Sequence, residues 1–287
     1  MVTIPQELKN EYPFSAHFLD VKSEKLHYVD EGQGEVILML HGNPTWSFFY
    51  RNLAKHFSKN FRVVVPDHIG CGLSTKPQDY EYTLQNHIDN TIALVKKLGL
   101  KDITLVVHDW GGAIGMGVAT AHPELIKKMV VMNTAAFRSL EIPMRINILR
   151  NPVGEWFIRT FNGFAGPATT MAVTKKLSPI VKKGFVLPYD SFESRIATAK
   201  FVRDIPMSDV HPTYKTLSGI EDKLKNLKVP VLLLWGEQDF CFTMNFQKRW
   251  LDFFPNAKVK TYPDAGHYLV EDKTSDVIAE IETFLKN

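Results

Sequence analysis

The sequence predicts an α/β fold, with a mainly parallel, doubly wound sheet and an inserted helical cap. Short apolar runs of strand length alternate with helical periodicity through residues 1–136 and again through 223–287. Between them, residues 137–222 hold amphipathic segments separated by prolines and glycines. Several strands end in polar or glycine-rich motifs, at the edge where parallel sheets bind ligands. We therefore expect a core of residues 1–136 and 223–287 and a cap of residues 137–222.

The core elements expected before the cap begin with a hairpin of two strands, 18–22 and 25–30, joined by Ser23 and Glu24. Thr83 is the expected N-cap of the second helix, and Gly99 is its expected end. Buried strands are predicted at 35–40, 61–65, 103–107 and 128–133, and helices at 47–57, 83–98 and 111–121.

The cap is expected to contain only helices. Apolar residues recur at helical spacing in the segments 143–150, 152–161, 164–177, 179–187 and 191–204. Strand and helix patterns then resume, with strands at 231–235 and 258–262 and helices at 243–254 and 275–285. Because the cap interrupts the core, it should emerge at the carboxyl ends of the strands, beside the polar motifs.

The composition indicates an ordinary globular protein of 287 residues, with 45% hydrophobic and 23% charged residues. A net charge of +3 indicates neither nucleic-acid binding nor membrane insertion, and no apolar run has the length of a membrane span. Residues 1–14 lack the layout of a signal peptide, so a cytoplasmic location is expected. Cys71 and Cys241 have no metal-site spacing and are expected to be free thiols in a reducing compartment.

The segment ITLVVHDWGG (103–112) predicts a buried strand, a tight turn and a helix. This is the pattern of a nucleophile elbow, which more often carries Ser in a G-x-S-x-G motif. Here the nucleophile position holds Asp109, and Val107 stands where the first Gly would be. Taken alone, Asp109 could equally be the N-cap of the helix.

Two further groups follow predicted strands and complete a catalytic pattern with Asp109. Asp239 follows strand 231–235, and His267 follows strand 258–262. Nucleophile, acid and histidine thus occur in the chain order of α/β-hydrolases. An Asp nucleophile suits attack on an sp³ carbon, His267 would activate water to hydrolyse the resulting ester, and Asp239 would orient the imidazole. Glu237 is a rival for the acid, and each residue alone could be an ordinary cap, turn or loop residue.

Asn43 and Trp110 are the expected anion-binding pair. Their backbone N–H groups would form an oxyanion hole, and the amide and indole N–H groups would stabilise a departing anion. The alternatives are a turn residue for Asn43 and core packing for Trp110. His108 is interpreted as structural. No metal-ligand set, phosphate-binding loop or dinucleotide fingerprint is present in the sequence, so no metal and no cofactor are expected.

Five motifs together resemble the haloalkane dehalogenase family of α/β-hydrolases over nearly the whole chain: HGNPTWSFFYRNL (41–53), PDHIGCGLSTKP (66–77), VHDWGG (107–112), WGEQD (235–239) and DAGHY (264–268). The resemblance implies Asp109 as nucleophile, His267 as base, and Asn43 with Trp110 as the halide-stabilising pair. One subgroup of the family has its acid, a Glu, at the position of Asn133, so the acid here should be Asp239. This combination resembles the third subgroup of the family and implies a small haloalkane and water as substrates.

Three other functions are kept beside dehalogenation. DHIGCGLS, RIATAKFVRDIP (195–206) and DAGHYLVED also resemble the bacterial β-lactone decarboxylases of olefin biosynthesis, in which the same residues would act on a lactone and release CO₂ and a long-chain alkene. Epoxide hydrolases share the elbow but use two cap tyrosines, for which Tyr189 and Tyr214 are the candidates. The fourth possibility is a binding protein without turnover.

Overall fold

The computed structural model describes residues 2–286 and contains one eight-stranded sheet in the order β1-β2-β4-β3-β5-β6-β7-β8. β1 and β2 pair antiparallel, as do β2 and β4, and every other pair of neighbouring strands is parallel. The strands are β1 (His17–Val21), β2 (Glu24–Glu31), β3 (Val36–Leu40), β4 (Arg62–Pro66), β5 (Ile103–His108), β6 (Ile126–Met132), β7 (Val231–Gly236) and β8 (Lys258–Tyr262). The predicted fold class is confirmed.

Helices cover both faces of the sheet and fill the interval between β6 and β7. The α-helices are α1 (Arg51–Phe57), α2 (Leu84–Lys97), α3 (Trp110–Ala121), α4 (Met144–Asn147), α5 (Pro152–Phe161), α6 (Ala165–Met171), α7 (Pro179–Val186), α8 (Ile196–Arg203), α9 (Pro212–Leu224), α10 (Met244–Phe253), α11 (Leu269–Asp272) and α12 (Thr274–Lys286). Short 3-10 helices span Gln6–Leu8, Ser47–Tyr50, Pro123–Leu125, Ile148–Arg150 and Glu193–Arg195.

The alternation of strand side chains divides the core into two layers. β3, β5 and β7 are buried at every residue, because helices cover both faces of the sheet. Leu105 and Val107 of β5 pack with α2, α3, α9 and α10, whereas Val106 between them packs with α1 and α12 on the opposite face. The central strands therefore hold their carboxyl-terminal loops on a rigid support.

Most predicted elements are confirmed, and the largest differences lie between β6 and β7. The Thr83 hydroxyl caps α2 as expected, accepting a hydrogen bond from Asn86 N. The predicted helix 164–177 ends at Met171, because the Asp272 carboxylate binds the backbone N–H groups of Thr174 and Lys175 and holds this segment in a loop. No individual helix was assigned to residues 212–224 from the sequence, but they form α9.

α9 begins at a proline, and the preceding His211 caps it through Nδ1. Leu217, Ile220 and Leu224 of α9 join the hydrophobic layer formed by α2 and α3. Among residues 2–286, no helix is both long and apolar enough to cross a membrane.

Candidate active site

The turn between β5 and α3 has the geometry of a nucleophile elbow. Asp109 adopts φ 50° and ψ −128°, a conformation that side chains rarely take, and its carbonyl accepts hydrogen bonds from Gly112 N and the Thr134 hydroxyl. A Cβ atom at Gly112 would lie 1.8 Å from Thr134 Oγ1, and one at Gly42 would lie 2.0 Å from Asp109 Oδ1. Glycine is therefore required at two places around the strained turn: in the first turn of α3, and in the loop after β3 that faces Asp109.

Although Asp109 occupies the N-cap position, its carboxylate accepts no N-cap hydrogen bond from the second or third residue of α3. Its Oδ1 accepts the backbone N–H of Asn43 at 2.6 Å, and the backbone N–H of Trp110 also binds the carboxylate. Helix capping alone therefore does not account for this residue. The two N–H groups form the arrangement expected of an oxyanion hole.

His267 links Asp109 to a buried acid. Its Nδ1 lies 2.8 Å from Asp239 Oδ2, and its Nε2 lies 3.7 Å from Asp109 Oδ2. Asp239 Oδ1 also accepts the backbone N–H groups of Cys241 and Phe242, so the carboxylate is fixed. The rival acid, Glu237, has an exposed side chain, whereas Asp239 is 3% exposed.

The electrostatics of the site raise two pKa values. Burial raises the pKa of Asp109 above its ordinary value of 3.8, and the charge of His267 and the N–H groups of Asn43 and Trp110 only partly offset this effect. Burial lowers the pKa of His267, but the carboxylates of Asp239 and Asp109 outweigh it and raise the pKa above 6.5. The two carboxylates thus stabilise the charged form of the imidazole relative to the neutral form.

Two residues support the loops that carry these groups. His108 Nε2 lies 2.8 Å from the carbonyl oxygen of His267, and burial lowers the pKa of His108 well below 6.5, so it binds as a neutral donor. This contact agrees with the structural role expected for His108. Asn133 joins the ends of β6 and β7 through two hydrogen bonds with the backbone of Gly236.

The side chains of the expected anion-binding pair differ in their contacts. Asn43 Nδ2 donates to the carbonyl oxygen of Thr198 in α8. Because that oxygen can only accept, the amide orientation is fixed, and its Oδ1 is buried without a partner among the described residues. Within residues 2–286, the indole N–H of Trp110 donates to no other group, and its ring packs against Phe201.

A cavity of about 370 Å³ lies over Asp109 and is lined mostly by apolar side chains. Asn43, Asp109, Trp110 and His267 all line it. Three hydrophobic clusters contribute to its apolar lining. Leu217 belongs to the core layer that contains α2 and α3, Tyr268 belongs to the layer on the opposite face of the sheet, and Val202 belongs to a small cluster between α5 and α8. Tyr189 and Tyr214, the tyrosines considered for epoxide opening, do not line the cavity.

Sequence reasoning missed the contribution of the loop after Asp239. Phe240, Cys241 and Phe242 line the cavity, and the signal available was their adjacency to the predicted acid. Ligand atoms of Asp239, Cys241 and His267 lie within 4.8 Å of one another, a grouping that sequence spacing did not indicate. Asp239 and His267 are already hydrogen-bonded to each other in it, and burial and the two aspartates raise the Cys241 pKa well above 9.0.

Comparisons with known proteins identify the family of this chain and its similar relatives. Residues 35–274 match the model of the alpha/beta hydrolase fold family. The chain is 45% identical to a cis-3-alkyl-4-alkyloxetan-2-one decarboxylase of Shewanella oneidensis, over 95% of this chain and 89% of the relative. It is 30% identical to haloalkane dehalogenase 2 of Mycobacterium bovis, with 94% of each chain covered.

Among solved structures, the haloalkane dehalogenase DatA from Agrobacterium tumefaciens superposes with a TM-score of 0.86 at 26% identity, covering 95% of this chain and 96% of DatA. The family match and these similarities bear out the resemblance drawn from the five motifs. The chain therefore belongs to the alpha/beta hydrolase fold family, as an enzyme related to both the oxetanone decarboxylases and the haloalkane dehalogenases.

Proposed function

We propose that this enzyme decarboxylates cis-3,4-dialkyl β-lactones to alkenes, with Asp109 as nucleophile. The observation that carries the proposal is the 45% identity to an oxetanone decarboxylase, against 30% to a dehalogenase. The sequence motifs favour dehalogenation first and lactone decarboxylation second, whereas the identities of the relatives favour the reverse order.

In the first step, an Asp109 carboxylate oxygen attacks C4 of the lactone from the side opposite the ring oxygen. The C4–O bond breaks, its electron pair stays on the departing oxygen, and a carboxylate is left on C3. The amide N–H of Asn43 and the indole N–H of Trp110 would stabilise this carboxylate. The product is an alkyl ester of Asp109.

In the second step, the bond between C3 and the carboxylate breaks and CO₂ leaves. The released electron pair forms the C3–C4 double bond, and the Asp109 carboxylate departs from C4. No water is consumed and no oxidant is needed. Inversion at C4 followed by anti elimination gives the cis alkene. His267, 3.7 Å from Asp109 and held by Asp239, favours the ionised form of the nucleophile.

The cavity suits a substrate with two apolar arms. Its lining reaches the α2–α3–α9 layer at Leu217, the opposite layer at Tyr268, and the small cluster around Val202. Two alkyl chains on adjacent ring carbons could diverge from Asp109 toward different clusters. We also propose that residues 137–222 act as the cap of this cavity, since Asn43 is tied to Thr198 within them.

Dehalogenation is the second candidate, favoured by the likeness to DatA and to the mycobacterial dehalogenase. Here Asp109 displaces halide from an sp³ carbon, and Asn43 and Trp110 stabilise the halide. His267 then removes a proton from a water that attacks the ester carbonyl, giving an alcohol. The two reactions differ in whether water enters the product.

The test is a side-by-side assay of a cis-dialkyl β-lactone and a bromoalkane in ¹⁸O-labelled water. We expect the lactone to give alkene and no ¹⁸O-labelled alcohol, and we expect no turnover by Asp109→Ala. Glu237→Gln is the matched control, because this carboxylate is exposed, and it should retain full activity. Labelled alcohol from the bromoalkane together with no alkene from the lactone would establish the dehalogenase instead. Turnover of both substrates that persists in Asp109→Ala would exclude the mechanism.

A further inference from the structure

The segment that follows β6 carries an unusual concentration of exposed apolar side chains. Of the twelve large hydrophobic side chains exposed within residues 2–286, eight lie between residues 140 and 171, and they are between 43% and 78% exposed. They are Leu140, Met144, Ile148, Val153, Trp156, Phe157, Phe161 and Met171, and we call them the apolar face. Scattered exposed hydrophobic residues are normal, but a contiguous patch marks an interaction site.

Helical spacing places four of these residues on one side of α5. Val153, Trp156, Phe157 and Phe161 recur at intervals of three and four residues, while Ile158 is fully buried against α8. The Phe161 ring contacts the rings of Trp156 and Phe157, with centroids 5.6 Å apart in each case. α5 is thus an amphipathic helix that presents its aromatic side outward.

The charges around the apolar face are mostly positive. Residues 140–176 contain three arginines, two lysines and two acidic residues, Glu141 and Glu155. Glu155 is half-buried and bound by Arg159, Lys200 and Arg203, so its charge is compensated. Lys175 and Lys176 are exposed and follow closely after Met171. An aromatic and aliphatic face with a basic border is the pattern of a helix that lies in the interface of an anionic membrane.

The same segment forms one side of the cavity. Pro143, Arg145, Leu149 and Phe164 line the cavity, and Met171 belongs both to its lining and to the apolar face. We propose that the apolar face docks this enzyme on an anionic lipid surface, so that apolar substrate and product pass between bilayer and cavity. This passage of substrate and product rests on the proposed function, because a dialkyl lactone and its alkene are apolar molecules that partition into lipid.

The positive charges around the apolar face favour an anionic lipid surface, rather than a second copy of this chain, as its binding partner. In a self-association of the apolar face, the basic borders of two molecules would meet and repel each other. Phosphate head groups would instead neutralise these residues, each of which contributes about fivefold to the partition coefficient. A protein partner or a dimer is therefore treated as an outcome that overturns the proposal.

The experiment measures flotation of the full chain with vesicles, in the absence of substrate. Vesicles contain either phosphatidylcholine alone or equal parts of phosphatidylcholine and phosphatidylglycerol. We expect binding to the anionic vesicles with a blue shift of tryptophan emission, because Trp156 is exposed whereas Trp46, Trp235 and Trp250 are fully buried. Lys175→Gln with Lys176→Gln should lower the partition coefficient by about 30-fold, and added salt should act in the same direction.

Trp156→Ser with Phe161→Ser should lower the partition coefficient at least about tenfold. Neither residue lines the cavity, so turnover of dispersed substrate should be unchanged. The matched control is Phe18→Ser, an exposed Phe on β1, which should bind like the wild type. Binding that is absent, or equal on neutral and anionic vesicles, or equally reduced in Phe18→Ser, overturns the proposal. So does a concentration-dependent dimer that the double variant abolishes. Since no substrate is present, these outcomes are independent of the lactone assay.

Discussion

Two aspartate–histidine pairs with the same local geometry lie in this molecule. His27 Nδ1 is 2.8 Å from Asp67 Oδ2, and His267 Nδ1 is 2.8 Å from Asp239 Oδ2. In each pair the carboxylate is buried and also accepts two backbone N–H groups. The two carboxylates therefore have the same kinds of hydrogen-bond partner, one imidazole and two backbone N–H groups.

The difference lies on the far side of each imidazole. His267 Nε2 faces Asp109 at 3.7 Å, and the residue lines the cavity. His27 Nε2 is buried with no hydrogen-bond partner in the described part of the chain, and the residue does not line the cavity. An Asp–His hydrogen bond is thus a structural unit, and a third reactive group together with an open space makes it a candidate for catalysis.

The largest expected effect that separates the pairs is on turnover. Asp239→Asn keeps the shape of the side chain but removes the charge that orients and stabilises the His267 imidazolium. We expect hydrolysis of the Asp109 ester formed from a bromoalkane to fall about 10³- to 10⁴-fold, with the thermal midpoint nearly unchanged. Steady-state kinetics and differential scanning fluorimetry measure the two quantities. Full activity in this variant would show that a residue other than Asp239 acts as the acid.

The second expected effect is on folding. Asp67→Asn leaves His27 and the backbone N–H groups of Ser47 and Leu73 without a carboxylate in a site that water does not reach. We expect a loss of about 3–5 kcal/mol in the free energy of unfolding, measured by urea titration. The turnover of the remaining folded enzyme should stay within about threefold of wild type. A stable but inactive variant would refute this assignment.

The third test separates the pairs by pH. Burial and the charge of His27 act in opposite directions on Asp67, and the net effect lowers its pKa below 3.8, so its stabilisation is lost only as the pH falls through that lowered value. Asp109, whose pKa burial raises above 3.8, must be ionised to attack. As the pH falls, turnover should therefore disappear before the near-ultraviolet circular dichroism of the fold.

The pH dependence also distinguishes the two reactions. Hydrolysis of an alkyl ester needs neutral His267, whose pKa is raised above 6.5 by two carboxylates, so it should increase with pH through a midpoint above 6.5. Decarboxylation needs no base and should already reach its plateau at lower pH. A common midpoint for both substrates would contradict this mechanism.

The smallest expected effect concerns the thiols beside the two pairs. Burial raises the pKa of Cys71 to about 12, and burial with the charges of Asp239 and Asp109 raises the pKa of Cys241 well above 9.0. Both thiols should stay protonated and react slowly with iodoacetamide at neutral pH. Cys241→Ala should change kcat by less than about threefold, since a neutral thiol adds no charge to the site. Mass spectrometry of the alkylated protein provides the check.

The sequence allowed the Asp239–His267 pair to be predicted because it carries both a strand pattern and a motif. Apolar runs located β5 and β7, the resumed alternation of strands and helices located β8, and Asp109, Asp239 and His267 come after these strands in the chain. The buried Asp67 pair could not be predicted in this way. His27 sits inside a strand, and its partner is reached only through the antiparallel pairing of β2 with β4.

The segment between β6 and β7 was harder to predict for a similar reason. Helical spacing identified 152–161 and 179–187 within one residue, but α9 was missed because its start depends on His211, an uncommon capping residue. The apolar periodicity of α5 was visible, but it does not indicate which side faces outward. The exposed aromatic side of this helix became apparent only in the structure.

The pairing of β6 with β7 has a consequence for synthesis of the chain. Met129 pairs with Val231, so the strand beside the elbow strand gains its second neighbour only after all of residues 137–222 have left the ribosome. Until then the nascent chain exposes an apolar β6 edge and carries Asp109 without Asp239 and His267. The last strands to emerge therefore complete both the sheet and the candidate site, so a chain interrupted in translation carries an incomplete site.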